Sequence, residues 1–459
     1  MEQFIGLIGI LTIFVLCLVM SNNRKAIDWH LVNCGISAQI IVAVFILRTP
    51  WGQGIFELLG HCVETLIGFV DYGTSFVLGP LNNTEKMVDL FGPSGGFIFV
   101  FKLIPTLIFV SSLSAIAYHL GIMQAVVKSI ARIVYRLMRA SGIEATSNAA
   151  SVFVGMLEAQ LLIKPFLLKA TQSELLAIMA GSMACISGAI MAVYIQMGVA
   201  AEFMMAASVM AIPGALVIAK IVYPEVEQSS TKAGIHLEME KKAANLLDAI
   251  STGAVEGLKV GAAASAVLIA MLALIAGIDY CVGKLGLLIA EVFLGEDSTF
   301  VFNADLKNLR LSDLLGAIFF VPAILMGVPI ENAAAVGGLM GTKLVLNEFV
   351  AYSQLVPLIE AGTLLKKSEI IATFALCGFA NFGSVAILIG GIGGMVPSRK
   401  SDLAKVGIRA MICGTFASYV SASIVGIMYK SGSTNMAGDI SIILVALAII
   451  IFYNRRQKQ

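Results

Sequence analysis

Long apolar runs separated by short polar breaks fill most of the chain. Continuous runs at 4–20, 31–47, 97–120, 175–195, 203–222, 260–278, 370–389, 408–428 and 440–453 predict helices of about the length that crosses a ~30 Å hydrocarbon layer. Two more stretches, 144–168 and 312–352, are apolar but punctuated by Gly, Asn and Glu. Each reads as a re-entrant hairpin, because an interrupted helix at membrane depth needs protein or a water-filled cavity around its freed backbone groups. Residues 51–69 alternate polar and apolar positions at helical spacing and suit a helix lying along the interface. Residues 224–242 and 291–310 are polar connections.

One segment occurs twice. Ser173-Glu174-Leu175-Leu176-Ala177-Ile178-Met179-Ala180 returns as Ser368-Glu369-Ile370-Ile371-Ala372-Thr373-Phe374-Ala375. Each copy runs into a small-residue break, Cys185-Ile186-Ser187-Gly188 in the first and Asn381-Phe382-Gly383-Ser384 in the second. Each is preceded by a glutamate set among apolar and small residues, Glu158 and Glu348. Paired, interrupted helices expose N–H and C=O groups that a polar solute can use, which is what a secondary transporter needs.

Composition narrows the class. The chain has 459 residues, 58% of them hydrophobic and only 13% charged, with a mean hydropathy of +0.93. A soluble domain carries about 25% charged residues, so this is a polytopic membrane protein. A net charge of +1 argues against a nucleic-acid binder. The run at 4–20 is not followed by a small-residue cleavage site and reads as the first span. Seven Cys without a CxxC pair and four His without ligand spacing give neither a disulfide frame nor a metal site. No GxxxxGK[ST] is present, which argues against ATP as the driver. No nucleophile–base pair is evident, so an enzyme is disfavoured.

Lys and Arg placement sets the orientation. With the N-terminus outside, Arg24, Lys25, Lys128, Arg132, Arg136, Arg139, Lys164, Lys169, Lys241, Lys242, Arg399, Lys400, Lys405, Arg455, Arg456 and Lys458 all fall inside, while Lys366 and Lys367 break the rule. The two hairpins then enter from opposite sides, as in an inverted repeat. The expected fold is an all-α polytopic membrane protein with two re-entrant hairpins, broken helices and about 8–9 spans.

An ionised carboxylate at membrane depth costs roughly 2.5 kcal/mol or more unless it faces a cavity or a partner. Glu158 and Glu348 are therefore substrate or proton groups, or else members of ion pairs, as Glu158 would be with Lys164. Asn381 and Ser384 either meet a solute's hydroxyl groups or hold neighbouring helices together. Lys102, Lys164, Lys259 and Lys343 read as snorkelling side chains. Gly253, Gly257 and Gly261 form a helix-packing face.

Several segments together resemble the concentrative nucleoside transporter family over about 97–422. They are Leu120-Gly121-Ile122-Met123-Gln124; Ser147-Asn148-Ala149-Ala150 with Val154-Gly155, Glu158-Ala159 and Leu161-Leu162-Ile163-Lys164-Pro165; Asn347-Glu348-Phe349-Val350-Ala351-Tyr352; Ala375-Leu376-Cys377-Gly378-Phe379-Ala380-Asn381-Phe382-Gly383-Ser384; Gly390-Gly391; and Pro397-Ser398-Arg399-Lys400. The resemblance implies a homotrimer in a bacterial inner membrane, working as an elevator. Scaffold parts would be 1–140 and 245–285, transport parts 141–223 and 311–429, with an extra apolar helix and basic tail at 439–459. It implies symport of nucleosides driven by sodium or protons, without a cofactor. By motif match, Glu348, Asn381 and Ser384 would hold the ribose. Gly155, Met156, Leu157 and Glu158 would line the base, with Ile190 and Phe379 packing near it. Ser151, Val154, Cys185 and Ile186 would form the ion-coupling site, with Glu158 as a proton carrier.

The departures from the family pattern matter. Many members carry Gly-Gln-Thr-Glu or Gly-Gln-Ser-Glu where this chain has Gly155-Met156-Leu157-Glu158. Two hydrogen-bonding side chains have become apolar, which favours purine nucleosides. The family's sodium site uses an Asn and a Ser/Thr where this chain has Ser151 and Cys185. A thiol is a poor ligand for a hard cation, which favours protons over sodium. The alternatives are a sodium-coupled broad or pyrimidine transporter, or a nucleoside-responsive sensor or channel on the same scaffold.

Overall fold

The computed structural model describes residues 2–92, 98–232, 243–289, 300–301, 304–305 and 309–429. The expected helix at 440–453 and the basic tail after it lie outside the described residues. The described residues fold into helices, apart from two-residue strands β1 (Phe300–Val301) and β2 (Ala304–Asp305), which pair antiparallel.

The N-terminal part comprises α1 (Glu2–Met20), α2 (Trp29–Arg48), α3 (Pro50–Gly68), α4 (Val70–Leu78), α5 (Thr84–Phe91), α6 (Phe99–His119) and α7 (Ile122–Met138). The 51–69 periodicity is α3, started by a Thr49 cap on the Gly52 N–H and a proline in its first turn. The first repeat then gives α8 (Gly142–Ser151), α9 (Glu158–Leu161), α10 (Lys164–Leu167), α11 (Gln172–Ala184), α12 (Gly188–Gln196) and α13 (Ala201–Val222). A single helix follows, α14 (Leu246–Ile289). It has 44 residues, far more than the 260–278 core visible as an apolar run. The second repeat gives α15 (Leu311–Leu325), α16 (Ile330–Val345), α17 (Glu348–Glu360), α18 (Lys366–Leu376), α19 (Phe382–Met395) and α20 (Lys400–Met428).

Six described helices or broken helices are long and apolar enough to cross a membrane, and α15 with α16 adds a seventh if that bent pair is counted as one. α1 and α19 are apolar but shorter. The stretch 312–352 is more divided than its sequence suggests. α15 and α16 meet at 118°, and a second break, at Leu346 and Asn347, precedes α17. The run 370–389 is likewise not one helix but α18 and α19.

Packing separates the helices by role. α14 lies chiefly against α6, with its glycines at the seam. A Cβ on Gly253 would come within 2.7 Å of the Ser111 carbonyl, and one on Gly261 within 2.9 Å of Ile104. Only 11% of the apolar window of α14 is buried. α11, α13, α18 and α20 pack on one another and hold the deepest residues, from Leu175 to Ala180 and from Ile371 to Leu376.

Polar pins close one end of this bundle. Capping boxes start α8 (Ser141 with Glu144) and α11 (Thr171 with Glu174). Lys220, near the end of α13, pairs with Glu144 at 2.5 Å and donates to Ser173 Oγ at 2.8 Å. Ser229 and Thr231 donate to Glu174, which ties the chain leaving α13 back onto α11. A buried ionic group is tolerated only when partners replace its water, and here each charged group has them.

Candidate functional site

The site is built where the two repeats meet. α11 stops at Cys185 and α18 stops at Cys377, and the two breaks abut. Gly378 has φ +123°, and a Cβ there would lie 2.6 Å from the Ala184 carbonyl. Only glycine takes that backbone shape and that approach together.

The tip of the second hairpin supplies the carboxylate. Asn347 caps α17 by accepting from the Val350 N–H at 2.9 Å. This places Glu348 in the first turn of a 13-residue helix, where the helix dipole favours negative charge. Asn381 repeats the device on α19: its Oδ1 accepts from the Ser384 N–H at 2.8 Å. That bond fixes which way the amide faces, so Nδ2 is turned to Glu348 and donates to Oε2 at 3.1 Å. Tyr194 of α12 donates its hydroxyl to Glu348 Oε1 at 3.2 Å. Glu348, Asn381 and Ser384 are 6%, 3% and 4% exposed, a buried group whose polar atoms are aligned before any solute arrives. Tyr194 stacks on Tyr352 at 4.5 Å and tilts toward Phe349 at 5.5 Å. Phe379 is also buried, in the turn that leads to Asn381.

The tip of the first hairpin is more open. Gly155 has φ +115°, and a Cβ there would meet the Glu158 carboxylate at 2.5 Å and Ser187 at 3.9 Å. Met156, Leu157 and Ile190 are half-buried, and Glu158 is exposed. Glu158 thus stands at the mouth of the tip. No ion pair joins it to Lys164 among the described residues. Leu157 packs on Gly391 of α19, so each hairpin tip touches the broken helix of the other repeat.

The residues read as the ion-coupling site lie on the first hairpin and on the break that follows α11. Ser151 ends α8 and donates to the Ser147 carbonyl at 2.8 Å, with Ser182 Oγ of α11 3.3 Å away. Gln160 donates to Ser182 at 2.7 Å and accepts from Ser147 at 2.9 Å. The Cys185 thiol, 2% exposed, donates to the Gly181 carbonyl at 3.2 Å. Val154 lies one residue before Gly155, and the Gly188 N–H reaches back to the Phe153 carbonyl at 3.4 Å, which brings Ile186 beside the tip.

Sequence reasoning missed Tyr194 and misread Lys343. Tyr194 sits in an ordinary apolar run, and only its spacing of four from Ile190, one helical turn, hints that it faces the same way. Lys343 does not snorkel: it is 1% exposed and donates to the Ala375 carbonyl at 2.9 Å. Lys102 donates to the Asn82 carbonyl at 2.8 Å, while Lys164 and Lys259 are exposed.

Models of known families match most of the chain. The N-terminal part of the Na+ dependent nucleoside transporters matches residues 8–81, a nucleoside recognition (gate) model matches 100–201, and the C-terminal part of those transporters matches 203–426. An uncharacterized transporter of Haemophilus influenzae is 38% identical over 94% of this chain and 99% of its own length. YutK of Bacillus subtilis, also an uncharacterized transporter, is 37% identical over 92% and 98%. Sodium/nucleoside cotransporter 1 of Mus musculus is 36% identical over 93% of this chain, which spans 64% of that protein's length. Among solved structures, CNTnw in an inward-facing substrate-bound state has a TM-score of 0.85 at 35% identity, covering 93% of this chain and 98% of that one. A CNTnw variant in an intermediate state gives 0.86 at 35% identity, over 94% and 100%. The chain is an integral membrane transporter, not an enzyme, and it belongs to the sodium-dependent nucleoside transporter family.

Proposed function

We propose that the protein is a symporter that takes up nucleosides, purine nucleosides in preference, and couples uptake to protons. The observation that carries this reading is the axis of α12. Ser187, just before α12, faces Gly155 of the first tip, and Tyr194 on the helix holds Glu348 of the second. Seven residues of helix separate the two points by about 10 Å. The interval has an apolar, half-open end at Met156, Leu157 and Ile190 and a buried polar end at Glu348, Asn381 and Ser384. A solute with a flat ring at one end and a polyhydroxyl sugar at the other fits that polarity. Thus ribose is assigned to Glu348, Asn381 and Ser384, and the base to Gly155, Met156, Leu157, Glu158, Ile190 and Phe379.

The proton reading rests on the surroundings of Ser151. At Ser151 and Cys185 a cation would find a hydroxyl and a thiol in place of the family's amide and hydroxyl; the Ser182 hydroxyl lies 3.3 Å from Ser151, but the thiol is a poor ligand for a hard cation. The supporting architecture is a mobile part at 141–223 and 311–429 against a scaffold at 1–140 and 245–285, with the N-terminus outside. A homotrimer fits the sparsely covered α14, which needs lipid or further copies of the chain along its length.

The test is uptake of radiolabelled adenosine, inosine, guanosine, uridine and cytidine into proteoliposomes. Accumulation above the external concentration supports a symporter. Equilibration without accumulation supports a channel, and no entry of any nucleoside rejects the substrate class.

A further inference from the structure

Lys343 is a cation buried at the centre of the transport machinery, and among the described residues no carboxylate is bonded to it. It lies near the inner end of α16, five residues before Glu348, and its ammonium meets the last turn of α18 at the Ala375 carbonyl. That turn ends in a break: Thr373 and Phe374 still accept from the Cys377 N–H, but the Ala375 carbonyl has no backbone donor among the described residues, and the helix dipole places partial negative charge there. Three buried donors satisfy the end: Lys343 at Ala375, the Tyr352 hydroxyl at Thr373 (2.8 Å) and the Ser418 hydroxyl at Cys377 (2.7 Å). Lys343 is the charged one.

The first repeat has the same construction with a different group. Ser151 also ends the entering arm of its hairpin, seven residues before Glu158. It also meets the last turn of the following broken helix, at Ser182 of α11. A hydroxyl stands in one repeat where an ammonium stands in the other. The side chains are unalike, but the place is the same: the inner end of a hairpin arm against the C-terminal end of a broken helix, beside a tip glutamate.

We propose that Lys343 is a tethered cation that fills, in the second repeat, the place matching the ion-coupling site of the first. Its ammonium fixes the end of α18 and thereby positions Asn381 and Glu348 for ribose. It is a positioning residue acting through those two, and this part of the inference rests on the nucleoside reading above. The second repeat then needs no ion from solution to complete its half of the site.

Two measurements test it. The first is independent of substrate: alkylation of Cys377, which is 1% exposed at the end of α18, followed by peptide mass spectrometry. Cys377 is expected to stay protected in the wild type and in Lys343→Arg. It should become reactive in Lys343→Gln and Lys343→Ala, with ethylammonium restoring protection to Lys343→Ala. Protection of Cys377 in folded Lys343→Gln, or reaction in folded Lys343→Arg, overturns the proposal. The second is calorimetry on the purified proteins. Lys343→Gln should bind ribonucleosides at least tenfold more weakly while binding 2′,3′-dideoxynucleosides within twofold of the wild type. An equal loss for both classes, or no loss, overturns the positioning role. Should the wild type bind no nucleoside, the substrate reading fails and the alkylation result alone decides the place of Lys343.

Discussion

At the scale of single residues, the second tip is a set of bonds with little freedom to rearrange. Both oxygens of Glu348 already accept, from Tyr194 and from Asn381, and in the proposed site a ribose hydroxyl would share them. Glu348→Gln turns one acceptor into a donor that must face either the Tyr194 hydroxyl or the Asn381 amide. It also removes a charge-assisted bond worth about 1.5–3 kcal/mol, so ribonucleoside affinity should fall about tenfold or more with melting temperature little changed. Calorimetry showing unaltered affinity would remove Glu348 from the site. Tyr194→Phe should cost less, about 1 kcal/mol, because a ribose hydroxyl can take the vacated position. At the first tip, replacing Met156 by Gln together with Leu157 by Thr should move preference toward uridine in competition against inosine. Uridine outcompeting inosine in the wild type would refute the purine preference. Much of this site was legible in the sequence, since Asn347-Glu348 and Asn381 with Ser384 pair a cap residue with the group it places. Tyr194 was not, because its role comes from a contact 154 positions away. Lys343 was misread because hydropathy cannot distinguish a lysine near a helix end at the membrane surface from one near a helix end at a buried break.

At the scale of elements, the repeat in the sequence located both broken helices but not how they fit together. The breaks abut through Gly378, whose left-handed φ and close approach to the Ala184 carbonyl are properties of the pair. Local sequence shows a glycine in a break; it cannot show that the space beside it is already taken. Gly378→Ala should strain the backbone by about 1–3 kcal/mol and push α18 off α11. The expected result is a lower melting temperature and uptake reduced for every nucleoside alike. A variant with normal stability and uptake would show that the breaks are not held in contact. The stretch 312–352 is more finely divided than its sequence suggests for a related reason. Its glycines at 316, 337 and 338 lie at the α15–α16 contact, where a Cβ on any of them would come within 3 Å of backbone on the facing helix. They are small for close approach, whereas the turn that matters for the site is made by Leu346 and Asn347, which carry no glycine.

At the scale of the molecule, the two repeats answer the problem of charge in a membrane differently, and that difference predicts the coupling. The second repeat carries Lys343 and Glu348 together in its core, so its negative tip would keep a positive group beside it in any movement. The first repeat has Glu158 at its open tip, with the neutral side chains of Ser147, Ser151, Gln160, Ser182 and Cys185 on the arm and broken helix behind it. A bare carboxylate moving through the hydrocarbon layer costs several kcal/mol, and either a bound cation or a proton removes that cost. The Cys185 thiol is a poor ligand for a hard cation, whereas a proton needs only the carboxylate. A pH gradient, acid outside and with sodium absent, should therefore drive accumulation in proteoliposomes. A sodium gradient at symmetric pH should not, and Glu158→Gln should uncouple uptake from the proton gradient while nucleosides still bind. Sodium-driven accumulation that persists in the presence of a protonophore would overturn proton coupling. It would mean that backbone carbonyls at Val154 and Ile186, with Ser151, complete a cation site in spite of Cys185.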